Sequence, residues 1–119
     1  MESYHLALAW NWEHDAGLVG LLEAAGLAHG TPLYQVTPDN LDPALCALEA
    51  GALSFHALLD RASDADERFL GLVAWARSHE VHYLNRYEAA RRAWDKVAMH
   101  RTLGAALHTP LAITLPPYA

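Results

Sequence analysis

The 119 residues allow one domain, and at 53% hydrophobic and 18% charged the chain can bury a core and is not disordered. Its net charge of −6 argues against nucleic acid as a main partner. No apolar run approaches the roughly 20 residues of a membrane span, Met1-Glu2-Ser3 does not open a signal peptide, and a lone Cys46 excludes an internal disulfide, so the expectation is a cytoplasmic protein.

Taken in chain order, short apolar runs alternate with longer helical patterns. Tyr4 to Trp10 is a buried-strand candidate. Asp15 to His29 follows as a helix, with Leu18, Leu22 and Ala25 at helical spacing, Asp15 as a candidate cap and Gly30 as the stop. Leu33 to Val36 reads as a second strand. Thr37 then caps a helix with Pro38 at its first position, and Leu41, Leu45 and Leu48 form its stripe. Gly51 ends it, and Leu53 to Leu59 is a third strand. Ser63 caps the next helix, with Asp64, Asp66 and Glu67 in its first turn.

Val81 to Leu84 is a short fourth strand. Asn85 with Glu88 starts a capping-box-like helix that runs to about Leu107. Leu111 to Leu115 is a last extended piece before Pro116-Pro117. The order β-α-β-α-β-α-β-α predicts a three-layer α/β/α Rossmann-like domain with a mainly parallel sheet of four to five strands. The expected division is a domain over 1–108 and a connecting strand over 109–119.

Charge is distributed unevenly. Residues 1–60 hold eight acids and no Lys or Arg, whereas all eight basic residues lie in 61–119. Arg86, Arg91, Arg92, Lys96 and Arg101 form either a solvated basic helix face or a face toward an anion.

Ligands of parallel sheets gather at the carboxyl ends of the strands, which selects the residues with chemistry to offer. Trp10, Asn11, Trp12 and Glu13, followed by His14 and Asp15, form either an ordinary turn with one indole on the sheet edge or a substrate wall. Asp60 and Arg61 end the third strand, as a ligand contact or as a loop ion pair. No GxGxxG or GxxxxGK[ST] phosphate loop, HExxH pair or nucleophile elbow occurs, so neither a catalytic residue nor a metal ligand is assigned.

Asn85-Arg86, then Asp95-Lys96, Met99, Leu103 and Pro110, resemble the end of the pre-ATP-grasp domain and the entry to the ATP-grasp domain in RimK-like carboxylate–amine ligases. The Asp60-Arg61 loop and the aromatic loop after the first strand look like that family too. The resemblance implies a domain that lines the substrate pocket with Trp10, Asn11, Trp12, Glu13, Asp60, Arg61, Asn85 and Arg86. Lys96 would point toward the ATP phosphates, as a mobile point charge suits. It further implies that ATP and Mg²⁺ belong to C-terminal ATP-grasp lobes, that the partner molecules are a carboxylate substrate and those lobes, and that this segment is inactive by itself. A homodimer is possible through an unpaired last strand. Two other readings stand beside it. One is a receiver-like phospho-acceptor module using Asp60; the other is a non-catalytic interaction domain.

Overall fold

The computed structural model describes residues 1–108 together with Leu111, Ile113 and Leu115. The described residues divide into two compact units, residues 1–87 and the residues from Glu88 onward.

The first unit is a parallel α/β sheet. Strands β1 (Glu2–Ala9), β2 (Leu33–Val36), β3 (Leu53–Asp60) and β4 (His82–Leu84) lie in the order β2-β1-β3-β4, every pair parallel. Helices α1 (Ala16–Ala28), α2 (Leu41–Glu49) and α3 (Leu70–Ser78) make the crossovers, as parallel neighbours require. Right-handed connections in this strand order put α1 on one face and α2 and α3 on the other. The burial agrees. Leu48 of α2 and Leu72 of α3 share one core with Ala7, Ala9, Phe55 and Leu58. Leu8, between Ala7 and Ala9, and Val19 of α1 are buried outside that core. This is the three-layer α/β/α arrangement expected from the alternation of elements. Phe69, Leu8, Leu58, Leu72 and Val36 are the largest fully buried side chains; burying each contributes about 1.5–3 kcal/mol.

The inward phase of β3 slips once. Leu53 and Phe55 are buried, then Leu58 and Asp60, leaving His56 and Ala57 together off the core side. The pairing with β1 keeps one offset from Glu2↔Leu53 to Ala9↔Asp60, so β1 follows the slip without losing register.

Helix starts depart from the sequence reading wherever a side chain found a stronger use. Asp15 stands at the N-cap position of α1 as expected, but its side chain makes no cap bond; it ends a single 3₁₀ turn, Glu13–Asp15, and its carboxylate binds Arg61. Thr37 and Pro38 lie in a turn before α2, whose N-cap is Asn40. The Asn40 carboxamide accepts from the Thr37 amide at 2.8 Å and donates to the Gln35 carbonyl at 2.8 Å. Pro43 is the third residue of α2, where no intrahelical amide is required. Ser63 does not cap α3. A 3₁₀ turn, Glu67–Phe69, precedes that helix, and Asp66 caps the turn. Gly30 and Gly51 take φ of 69° and 73°, the left-handed geometry that ends α1 and α2.

The expected long last helix is two helices, α4 (Tyr87–Trp94) and α5 (Lys96–Gly104). Asp95 interrupts it with ψ of 102°, and its carboxylate accepts from the Val97 and Ala98 amides at 3.0 and 3.1 Å. An Asp that can cap competes with helix continuation. Asn85 also lies further from the helix than a cap would: φ there is 59°, and α4 begins at Tyr87. No residue of α4 or α5 is buried. Ala93, Ala98, Met99 and Leu103 line a groove of about 280 Å³ in this second unit. The expected strand over Leu111–Leu115 lies outside the described residues except for Leu111, Ile113 and Leu115, which are exposed. No helix among the described residues is long and apolar enough to cross a membrane.

Candidate functional site at the carboxyl ends of the strands

The chain leaves β1 for β2 on one side and returns past β1 to β3 on the other. That reversal opens a crevice between the carboxyl ends of β1 and β3. The loop 10–15 and the loop 60–68 flank it, and side chains tie the two together.

Arg61 makes the first tie. Its amide donates to the Ala9 carbonyl at 2.9 Å, and its Nη2 donates to Asp15 Oδ1 at 2.8 Å. Asp15 is only 5% exposed while Arg61 keeps 35% of its side chain in solvent. The hydrogen bond to Asp15 pushes the Arg61 guanidinium above its ordinary pKa, so it stays a cation throughout. Asn11 makes the second tie, its Nδ2 donating to Asp66 Oδ2 at 2.7 Å. Arg68 grips the same carboxylate through Nε at 3.0 Å and Nη2 at 2.8 Å. These Arg68 bonds hold Asp66 below the usual carboxylate range, and Arg68 itself stays 63% exposed.

Asp60 is closed off. It is 5% exposed. Its Oδ1 accepts from the Ala62 and Ser63 amides at 3.0 Å each, and its Oδ2 accepts from the Ser63 hydroxyl and from the Tyr83 hydroxyl at 2.7 Å. The Tyr83 oxygen in turn accepts from the Tyr87 amide at 3.2 Å. Burial, and then the hydrogen bond to Asp60, push the Tyr83 phenol up to about 12. Asp60 therefore bolts β3 to β4 and to the start of α4, as a carboxylate with four donors must when buried.

The aromatic loop splits between structure and surface. Trp10 is half-buried, its indole N–H donating to Gln35 Oε1 at 3.2 Å, on the β2 side rather than in the β1–β3 crevice. Trp12 is 60% exposed with His14 edge-on at 4.8 Å, and Glu13 is exposed beside His14. Asn85 and Arg86 are exposed after β4. Lys96 is the first residue of α5 in the second unit and is exposed.

The crevice thus brings together Asn11, Asp15 and Arg61 with Asp66 and Arg68. Of these, Asn11 and Arg61 are the site candidates expected from the strand ends, Asp15 is the expected cap residue, and the grip of Arg68 on Asp66 has no local sequence signal. Tyr83 reads in sequence as an ordinary strand residue, and only its place facing Asp60 from the neighbouring strand marks it. Chemically, the crevice offers two guanidinium edges to an anion and an indole face at Trp12 to an apolar group. Among the described residues no three His, Cys, Asp or Glu side chains gather as metal ligands. No protein-family model, no curated protein and no solved structure matches this chain.

Proposed function

We propose that this chain is the substrate-side domain of an ATP-grasp ligase of the carboxylate–amine class. In that reaction the carboxylate oxygen takes the γ-phosphoryl group of ATP and ADP leaves. The amine then attacks the acyl carbon, phosphate leaves, and the amine gives up a proton. Positioning and charge stabilisation are what a protein supplies to such steps.

The observation that carries the reading is the crevice at the β1–β3 reversal, where Arg61 and Arg68, each paired with an aspartate, keep partly exposed guanidiniums. A carboxylate substrate would sit on those guanidiniums, with Asn11 and Trp12 as its wall. Lys96 would reach the nucleotide as a single ammonium. Asp95 already occupies the Val97 and Ala98 amides, so α5 adds no free amide cradle for phosphate at those positions. ATP and Mg²⁺ would accordingly be held by further lobes of the protein.

A receiver-like module fits less well. Its phospho-acceptor would be Asp60, which is buried and engaged by four donors. Incubating the chain with acetyl phosphate and weighing it by mass spectrometry separates the readings: an aspartyl phosphate on Asp60 would favour the receiver. The ligase reading expects none, and it expects no ADP release from ATP by the 119 residues alone. Turnover by that chain would refute it.

A further inference from the structure

At exposed positions of the sheet, two histidines 51 residues apart in sequence become neighbours. His5 of β1 and His56 of β3 lie between the paired positions Tyr4↔Phe55 and Leu6↔Ala57. Both are exposed, and their rings stack with centres 5.2 Å apart and planes at 26°. The phase slip of β3 places His56 off the core side, and β1 copies it in register.

We propose that His5 and His56 chelate one divalent transition-metal cation, Cu²⁺ ahead of Ni²⁺ and Zn²⁺. This site is independent of the ligase reading. It lies in the amino halves of β1 and β3, whereas the crevice is at their carboxyl ends.

Geometry carries the assignment. A metal–imidazole bond of about 2.0–2.1 Å plus the ring radius puts each ring centre about 3.2 Å from the ion. Two such rings in neighbouring positions on the ion, at about 90° in a Cu²⁺ equatorial plane to about 109° in a tetrahedral site, have centres about 4.5–5.2 Å apart, within reach of rings that the strands hold with centres 5.2 Å apart when stacked. Turning the exposed rings edge-on to a common point, by side-chain rotation alone, converts the stack into a chelate. The sheet has already fixed both backbones, so the second ligand binds at high effective concentration.

The remaining positions on the ion take water. The Ser54 hydroxyl donates to the Ser3 hydroxyl at 3.2 Å two residues nearer the amino ends of the same strands. Those hydroxyls can hydrogen-bond a coordinated water. Imidazole favours Cu²⁺, Ni²⁺ and Zn²⁺, and the order among them follows their intrinsic affinities; Mg²⁺ and Ca²⁺ prefer oxygen ligands and are excluded. Ligation needs neutral imidazole, so binding weakens on acidification.

The test is titration of the whole chain with CuSO₄, ZnCl₂ and MgCl₂ in a non-coordinating buffer, read by calorimetry, with electron paramagnetic resonance on the Cu²⁺ form. One Cu²⁺ per chain is expected, with two imidazole nitrogens in its equatorial plane, weaker Zn²⁺ binding, and no Mg²⁺ binding. His5→Gln and His56→Gln should each lower Cu²⁺ affinity by at least about tenfold, to the same level as the double variant, because either change destroys the chelate. Far-UV circular dichroism checks that these exposed substitutions leave the fold intact. Three results would each overturn the proposal. One is no stoichiometric binding. Another is loss with His5→Gln but not His56→Gln, which would assign the ion to His5 and the terminal amine. The last is indifference to both variants, which would assign it to other histidines.

Discussion

Replacing the glycines of α1 one at a time by alanine should change stability in opposite directions within a single helix. In an exposed helix interior, Gly→Ala stabilises by up to about 1 kcal/mol, largely by restricting the unfolded chain. At Gly17 and Gly20 an added methyl meets nothing within 4 Å, so the gain is expected there: about 0.5 kcal/mol at Gly17, near the helix start, and about 1 kcal/mol at Gly20. At Gly26 the methyl would stand 2.5 Å from the Thr31 carbonyl oxygen. Close carbon–oxygen contacts are about 3.3 Å, so the α1–β2 turn would have to open by roughly 0.8 Å. That turn is held by the Thr31 amide donating to the Gly26 carbonyl at 2.8 Å, and β2 begins two residues later. Overpacking against backbone costs about 3 kcal/mol, which outweighs the propensity gain and leaves Gly26→Ala about 2 kcal/mol less stable. Urea unfolding followed by circular dichroism measures this. With a slope of about 1–2 kcal/mol/M, the midpoint should fall by about 1–2 M for Gly26→Ala and rise for Gly20→Ala. A Gly26→Ala variant as stable as the parent, or a destabilised Gly20→Ala, would refute the reasoning.

Two further perturbations probe the polar ties. The folded pKa of Tyr83, about 12, lies above its ordinary 10.0, so on raising the pH the unfolded state loses its proton first. The native state then binds more protons, and the stability that the phenol lends is complete below about pH 10 and is lost between there and about pH 12. Tyr83→Phe should lack that alkaline decline and be about 1–2 kcal/mol less stable at neutral pH, because Asp60 loses a donor. Unfolding midpoints of the two proteins across pH 8–12 check both statements. Arg61→Met leaves the buried Asp15 carboxylate without its guanidinium, which should destabilise by about 1–3 kcal/mol. Adding Asp15→Leu should recover part of that loss in thermal melts, since the uncompensated charge goes with it.

Much of the fold is written in short-range patterns. Apolar runs such as Leu33–Val36 and Leu53–Asp60 have one use each as buried parallel strands, and Gly30 and Gly51 mark helix ends through left-handed geometry. What the sequence hid are choices between two uses of one polar residue. Asp15, Ser63 and Asp95 are all good helix caps. Asp15 went to Arg61 and Ser63 to Asp60, each a partner supplied by the end of β3, whereas Asp95 capped and so cut a helix expected to be continuous. The crevice was half legible for the same reason. Strand order puts the loops 10–15 and 60–68 side by side, but the Asn11–Asp66 and Tyr83–Asp60 bonds cross 55 and 23 residues and depend on tertiary placement. The His5–His56 pair, made by strand register, is invisible to any local spacing rule.

The ligase reading meets its most direct test in a coupled ADP-release assay on a polypeptide joining this chain to ATP-grasp lobes, with ATP, Mg²⁺, a panel of carboxylates and a panel of amines. The account expects ADP to appear only when an acceptor carboxylate is supplied, and to keep appearing over many turnovers only when an amine is supplied too. Lys96→Met should lower kcat, and Arg68→Gln should raise KM for the carboxylate. Release that ignores the carboxylate, or that is unchanged by both substitutions, would contradict it.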